Sequence, residues 1–246
     1  MSEQDNDRLE EERQRLEEER QREEEQRERE RRERIAIALA IAAWIWNDQS
    51  KRYRNTTTGR SITQHKAVTL RDFYIEAKKS DTDKLSRRLF NHDISLQQWT
   101  LDMRNQIKDT YINEYMLARG GRNNMTQSDW GRVGGLLKRQ YEYLNNFARD
   151  IDAGKMSEGQ IRTRSRMYID SATQAFERAK TESLGMPVLP QYPGDGQTVC
   201  RSNCQCHWNI TDEGDHWNAT WQLGIAEHCP DCVENAERWA PLVVPK

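Results

Sequence analysis

The sequence predicts a mainly α-helical protein: a long charged N-terminal helix, an antiparallel helical bundle, and a small stapled β-hairpin at the C-terminal end. Three observations carry this reading. A dense run of charged residues opens the chain. Apolar residues then recur at steps of three and four through its middle, the period of a helix with one buried face. Finally, all five cysteines of the 246 residues lie in the last 47, as Cys200-x3-Cys204-x-Cys206 and Cys229-x2-Cys232. Clustered sulfur ligands with imidazoles nearby are what a tetrahedral zinc site needs, so the staple is read as zinc. The expected division is 1–48 for the charged helix and the apolar segment that ends it, 49–186 for the bundle, and 187–246 for an extended linker and the metal-binding hairpin.

Residues 1–34 hold 15 acidic and 10 basic residues and almost nothing apolar beyond Leu9 and Leu16. Opposite charges three and four apart support a helix that has no core. No heptad seam is present, so a stable coiled coil is not expected. The segment reads either as an arm that reaches a partner or as a solvated helix. Ile35 to Trp46 follow as 12 apolar residues. A membrane span needs about 20, so none is expected here. The run reads as a helix end packed on its own domain or on a neighbouring subunit, with Trp44 and Trp46 as anchors. The charged start lacks the apolar stretch of a signal peptide. Cysteines kept as metal ligands fit a reducing compartment.

Residues 50–66 are polar, with Thr56-Thr57-Thr58-Gly59, and read as a loop or short hairpin. Val68, Phe73 and Ile75 open one short helix, and Leu85, Leu89 and Phe90 mark a second. Trp99, Met103, Ile107, Tyr111 and Tyr115 recur every four residues until Gly120-Gly121 stops the helix. Thr126 with Asp129 signals a new start. From there Trp130, Val133, Leu137, Tyr141, Leu144, Ala148 and Ile151 form a stripe that ends near Gly154. Ser157 with Gln160 is a capping box that opens a third long helix through Ile161, Tyr168, Ala172, Ala175, Phe176 and Ala179. Three helices of about 25 residues with short loops predict an antiparallel bundle. The aromatic stripes read as core. Met186-Pro187 to Pro190 begin the linker. His207 to Ile210 and Trp217 to Leu223 alternate at period two around Gly214, a hairpin. Glu234 to Trp239 read as a last helical turn.

A hairpin brings its two ends together, and here each end carries cysteines. Cys204 and Cys206 open it; Cys229 and Cys232 follow its second strand. Cys-x2-Cys is a standard zinc half-site. Cys-x-Cys is less usual, so Cys200 is an alternative to Cys204 or Cys206, and His228 is a spare ligand. The competing reading is metal-free thiols, buried or paired. With four sulfurs the site is closed, and a closed site is structural, because catalytic zinc keeps a position for water. Asp215-His216 near Cys229-x2-Cys232 has some of the character of an HNH-type nuclease, but a downstream catalytic His or Asn is missing. No nucleotide loop or nucleophile motif is present. No catalytic residue is therefore assigned, and an enzyme is not expected. The alternative function is a zinc-containing nucleic-acid-binding protein or nuclease. Lys51, Arg52, Arg54, Arg162, Arg164 and Arg166 read either as phosphate contacts or as a solvated face.

Several stretches resemble a known family. Asn203-Cys204-Gln205-Cys206 is similar to the end of the His-Pro-x-Cys-Arg-Cys motif that closes many minor head proteins of tailed phages, the Mu-like head-morphogenesis family. Arg201-Ser202 stands where that family has His-Pro. Trp130 to Gly134, Gln140 to Ala148, Tyr192-Pro193-Gly194-Asp195-Gly196, and Ala226 to Cys232 also look like phage head proteins. The resemblance covers about residues 50–240. It implies a protein of the virion, made in the host cytoplasm, present in a few copies near the portal, and acting in head assembly or DNA packaging. It further implies partners among the portal or other head proteins, met through the N-terminal segment, with self-association and DNA contact as further expectations.

Overall fold

The computed structural model describes residues 15–22, 25, 26, 29, 43–47, 49–225 and 227–246. Residues 15–22 are helical, and Arg22 reaches Glu18 one turn back at 3.4 Å. The rest of the charged arm, apart from those few positions, and the apolar stretch 35–42 lie outside the described residues.

Among the described residues the chain is mostly helical, with two three-stranded antiparallel sheets. The first sheet is β1 (Trp44–Asn47), β2 (Arg52–Asn55) and β3 (Ser61–Ile62). The expected loop or hairpin at 50–66 is thus a hairpin with a third short strand. Trp44 and Trp46 correct the reading of a helix end: they lie on a strand. Aromatic and β-branched side chains favour strands, and this one finds partners on both edges. It pairs with β2, and on its other side the Trp46 amide donates to the Gly120 carbonyl at 2.7 Å. As expected, both tryptophans anchor the segment. Trp44 is buried with Tyr53, Leu70 and Ile75; Trp46 sits edge-on to Tyr53, with ring centroids 5.0 Å apart.

Gly120 and Gly121 make this approach possible. Their φ angles are +77° and +115°, and a Cβ on Gly121 would stand 2.7 Å from the Trp44 carbonyl oxygen. The two glycines therefore end a helix and also admit the strand.

Five helices share one apolar core: α1 (Gln64–Phe90), α2 (Leu96–Ala118), α3 (Gln127–Asp152), α4 (Glu158–Asp170) and α5 (Thr173–Ser183). α1 is one helix where two short ones were expected. Its polar middle misled the reading. Thr82 and Ser86 turn their hydroxyls onto carbonyls of the same helix, 2.8 Å each, and so need no break. The α2 stripe is buried throughout: Trp99, Met103, Ile107, Tyr111 and Tyr115 show no exposed surface. Thr126–Asp129 and Ser157–Gln160 form the expected capping boxes. On α3 the buried apolar positions are Val133, Leu137, Leu144 and Phe147. Tyr141 packs at the edge of this core, and Trp130 lies half-buried under Arg122. The third long helix is interrupted at Ser171–Ala172, where the Ser171 hydroxyl turns to the Tyr168 carbonyl and pairs with Tyr111 Oη at 2.8 Å.

The C-terminal sheet is β4 (His207–Asp212), β5 (His216–Gln222) and β6 (Leu242–Pro245), with α6 (Pro230–Arg238) between the last two. The hairpin around Gly214 is as expected. Strand β6, which pairs with β5, was not foreseen, and the last helical turn is a longer helix that starts at Pro230.

Candidate metal centre

The linker is fixed before it reaches the cysteines. Tyr192 is buried, and its hydroxyl pairs with Thr181 at 3.0 Å and accepts the Leu189 amide at 3.0 Å. Asp195 accepts the Tyr192 and Gln197 amides and so closes the Gly194–Gly196 turn. A 3₁₀ turn at Arg201–Asn203 then sets Cys200 and Cys204 at its two ends. The last strand pair of the hairpin is His207 with Gln222, so Cys206 and Leu223 flank its open end. Cys229 stands at the N-cap of α6 and Cys232 in its first turn, with Pro230 between them. Asp231 accepts the Val199 amide at 2.7 Å and ties the start of α6 to the residue before Cys200. The two half-sites, remote in sequence, are joined by these contacts.

The sulfurs converge on Cys232. Its Sγ lies 3.6 Å from Cys200 Sγ and 3.6 Å from Cys204 Sγ, and the three lie within 4.8 Å of one another. With zinc–sulfur bonds of about 2.3 Å, the edge of a sulfur tetrahedron is about 3.8 Å. The cluster can therefore hold a metal ion. Cys206 and Cys229 stand outside this close group but line the same site. All five cysteines, with His228, line one cavity of about 20 Å³, room for a single small ion or water. His228 is exposed and stands outside the 4.8 Å group.

Protons are shared unequally among these thiols. The bond from Cys204 to Cys206 raises the first and, as its largest cause, lowers the second; burial also raises Cys204, and the Gly224 amide helps lower Cys206. Burial raises Cys232, and a bond to Cys229 adds to this. Cys229 is lowered: burial opposes ionisation there, but the Cys232 and Cys200 amides outweigh it. A metal ion bound here displaces the remaining protons, because thiolate is the ligand.

No family model, curated protein or solved structure matches the chain. The assignment of the site therefore rests on its geometry and residue chemistry.

The floor of the centre is aromatic. Trp208, Trp221 and Trp239 pack with centroids 5.2 to 5.7 Å apart, in one cluster with Cys204, Cys206 and Cys232. The Trp221 amide donates to the Trp239 carbonyl at 3.1 Å, which holds the end of α6 against β5. The module is also seated on α5. Glu177 accepts the Trp208 amide at 3.2 Å, and Lys180 donates to the Trp208 carbonyl. Sequence reasoning missed Trp239, Asp231 and Gly224 as parts of this centre. The only signal for Asp231 was its place inside Cys229-x2-Cys232. Nothing local marked the other two.

The remaining sequence candidates lie elsewhere. His207 bonds Gln222 across the hairpin at 2.9 Å. Asp215 and His216 do pair, at 2.6 Å, but at the turn end of the hairpin. Six strand residues, about 20 Å at ~3.4 Å each, separate that end from the cysteines. Arg164 is engaged by Asp150 at 3.0 Å, and Arg166 stands near Glu76 and Asp83.

Proposed function

We propose that this chain is a structural minor head or portal-associated protein of a tailed phage, acting in head assembly or DNA packaging, with a structural zinc ion in its C-terminal module. The observation that carries the reading is the closed sulfur cluster in the segment whose Asn-Cys-x-Cys ending is similar to that of the phage family. Cys200, Cys204 and Cys232, with a fourth sulfur from Cys206 or Cys229, complete a tetrahedron from protein ligands. That leaves no position for water or substrate, so the ion shapes the module and does no chemistry. On this reading the helices form an antiparallel bundle that serves as scaffold, and the stapled hairpin and the charged arm offer surfaces to portal, head or identical subunits. The DNA-acting alternative receives no support from the place of Asp215–His216, which is far from the sulfurs.

Two measurements test the reading separately. Elemental analysis of protein purified under reducing conditions should return about one zinc per chain; protein without metal overturns the zinc. Quantitative mass spectrometry of purified virions should find the chain at a few copies per particle. Particles free of it, from cells that express it, overturn the head assignment.

A further inference from the structure

The cluster contains more sulfur than one ion can use. A tetrahedral ion takes four ligands, and five cysteines line the same small cavity. Their arrangement shows where the surplus falls. Cys200, Cys204 and Cys232 form the mutually close set, with Cys232 at 3.6 Å from each of the other two. The other two cysteines line the same cavity and flank this set from different elements. Cys206 stands at the open end of the hairpin, and Cys229 stands at the N-cap of α6. Neither belongs to the close set itself.

We propose that Cys200, Cys204 and Cys232 are the fixed ligands and that Cys206 and Cys229 are alternative fourth ligands, either of which completes the site. This rests on the zinc reading above and goes beyond it. The two candidates differ in their surroundings. Cys206 is buried at the open end of the hairpin, and Cys229 is partly exposed at the N-cap of α6. Cys200 is partly exposed as well, so the consequence is a staple that survives chemical loss of one of its two accessible thiols, Cys229. An oxidant or electrophile that reaches Cys229 takes one candidate, and Cys206 holds the ion in its place. Cys232 has no such substitute, since it is the sulfur that stands 3.6 Å from both Cys200 and Cys204.

The test compares Cys206→Ser, Cys229→Ser, the double variant and Cys232→Ser in the full chain, by zinc content and chelator competition. Each single flank variant should keep about one zinc with affinity within about tenfold of the wild type, the lower bound for an outer-shell change. The double variant and Cys232→Ser should lose it. A second measurement uses the wild type. Iodoacetamide limited to one equivalent should alkylate Cys229 without releasing zinc, and a metallochromic dye reports release directly. Zinc released in step with Cys229 alkylation overturns the proposal, as does either flank variant behaving like Cys232→Ser. A wild-type chain without metal overturns the zinc reading itself, an outcome distinct from the other two.

Discussion

Gly224 and the Gln205 carbonyl lie so close that a Cβ at position 224 would stand 2.5 Å from the oxygen. This contact crosses the open end of the hairpin beside Cys206, and it requires a residue without a side chain. Gly224→Ala should push the two chain segments apart and withdraw the amide that supports Cys206. In a Cys229→Ser background, where Cys206 is the one fourth ligand left, we expect Gly224→Ala to lower metal affinity by about 10–100-fold, the scale of losing an outer-shell support, with the helical signal intact. Chelator competition measures it. Gly135→Ala is the control, since its Cβ meets nothing within 4 Å on α3; it should be neutral or stabilising by up to about 1 kcal/mol.

Leu144 shows no exposed surface and sits among the apolar residues of five helices. Leu144→Ala should cost about 2–5 kcal/mol through lost burial and the cavity left behind. Trp130→Ala should cost less despite the larger side chain, because Trp130 is only half-buried. Thermal or denaturant melting read at the helical signal checks the order. A Trp130 variant weaker than the Leu144 variant would show that the α3 face is wrongly assigned.

Asp129 closes the α3 capping box and faces Arg119 at 3.2 Å, Arg132 at 3.5 Å and the Tyr115 hydroxyl at 3.3 Å. Burial opposes its ionisation, but the bonds from Thr126 and the charge of Arg119 outweigh burial and hold its carboxyl below the usual range. A lowered folded pKa means that the unfolded chain takes up the proton first as pH falls. The contribution is therefore full above the unfolded value near ~3.9 and is lost as pH drops through the folded one. Asp129→Asn should be less stable than wild type at neutral pH, and the gap should close below about pH 4. A gap that persists unchanged at low pH rejects the charge as its source.

Much of this fold is legible because local signals and tertiary needs agree. The α2 stripe from Trp99 to Tyr115, the capping boxes at Thr126 and Ser157, and the alternation around Gly214 each follow from period and cap chemistry alone. The misses have a common cause. Trp44 and Trp46 looked helical by their apolar neighbours, yet the strand they form is decided by Tyr53 and Gly120, residues distant in sequence. The unbroken α1 was hidden because Thr82 and Ser86 satisfy their hydroxyls inside the helix. At the candidate metal centre the gathering of the cysteines was readable from their spacing. The place of Cys232 between Cys200 and Cys204 was not, since it depends on how α6 docks through Asp231 and Val199.

The packing of Trp44 also separates folding from docking at the front of the chain. Residues 1–34 carry almost no apolar side chains, so removing them should leave stability unchanged. A deletion of 1–42 takes the apolar run as well but spares β1, and this shorter chain should remain folded and zinc-loaded. Extending the deletion to 1–46 removes Trp44 and Trp46 from the core they share with Tyr53, Leu70 and Ile75. The cost should be at least that of Trp44→Ala, about 3–5 kcal/mol for a buried tryptophan. Under the head-protein proposal, the 1–42 deletion should fail to enter particles while behaving normally in solution, because an apolar run of this composition suits a partner surface. Copy number per particle, compared with melting of the same variant, gives both answers. If the 1–42 deletion enters heads at the wild-type copy number, the segment plays no part in docking. If it unfolds like the 1–46 deletion, residues 35–42 belong to the fold instead.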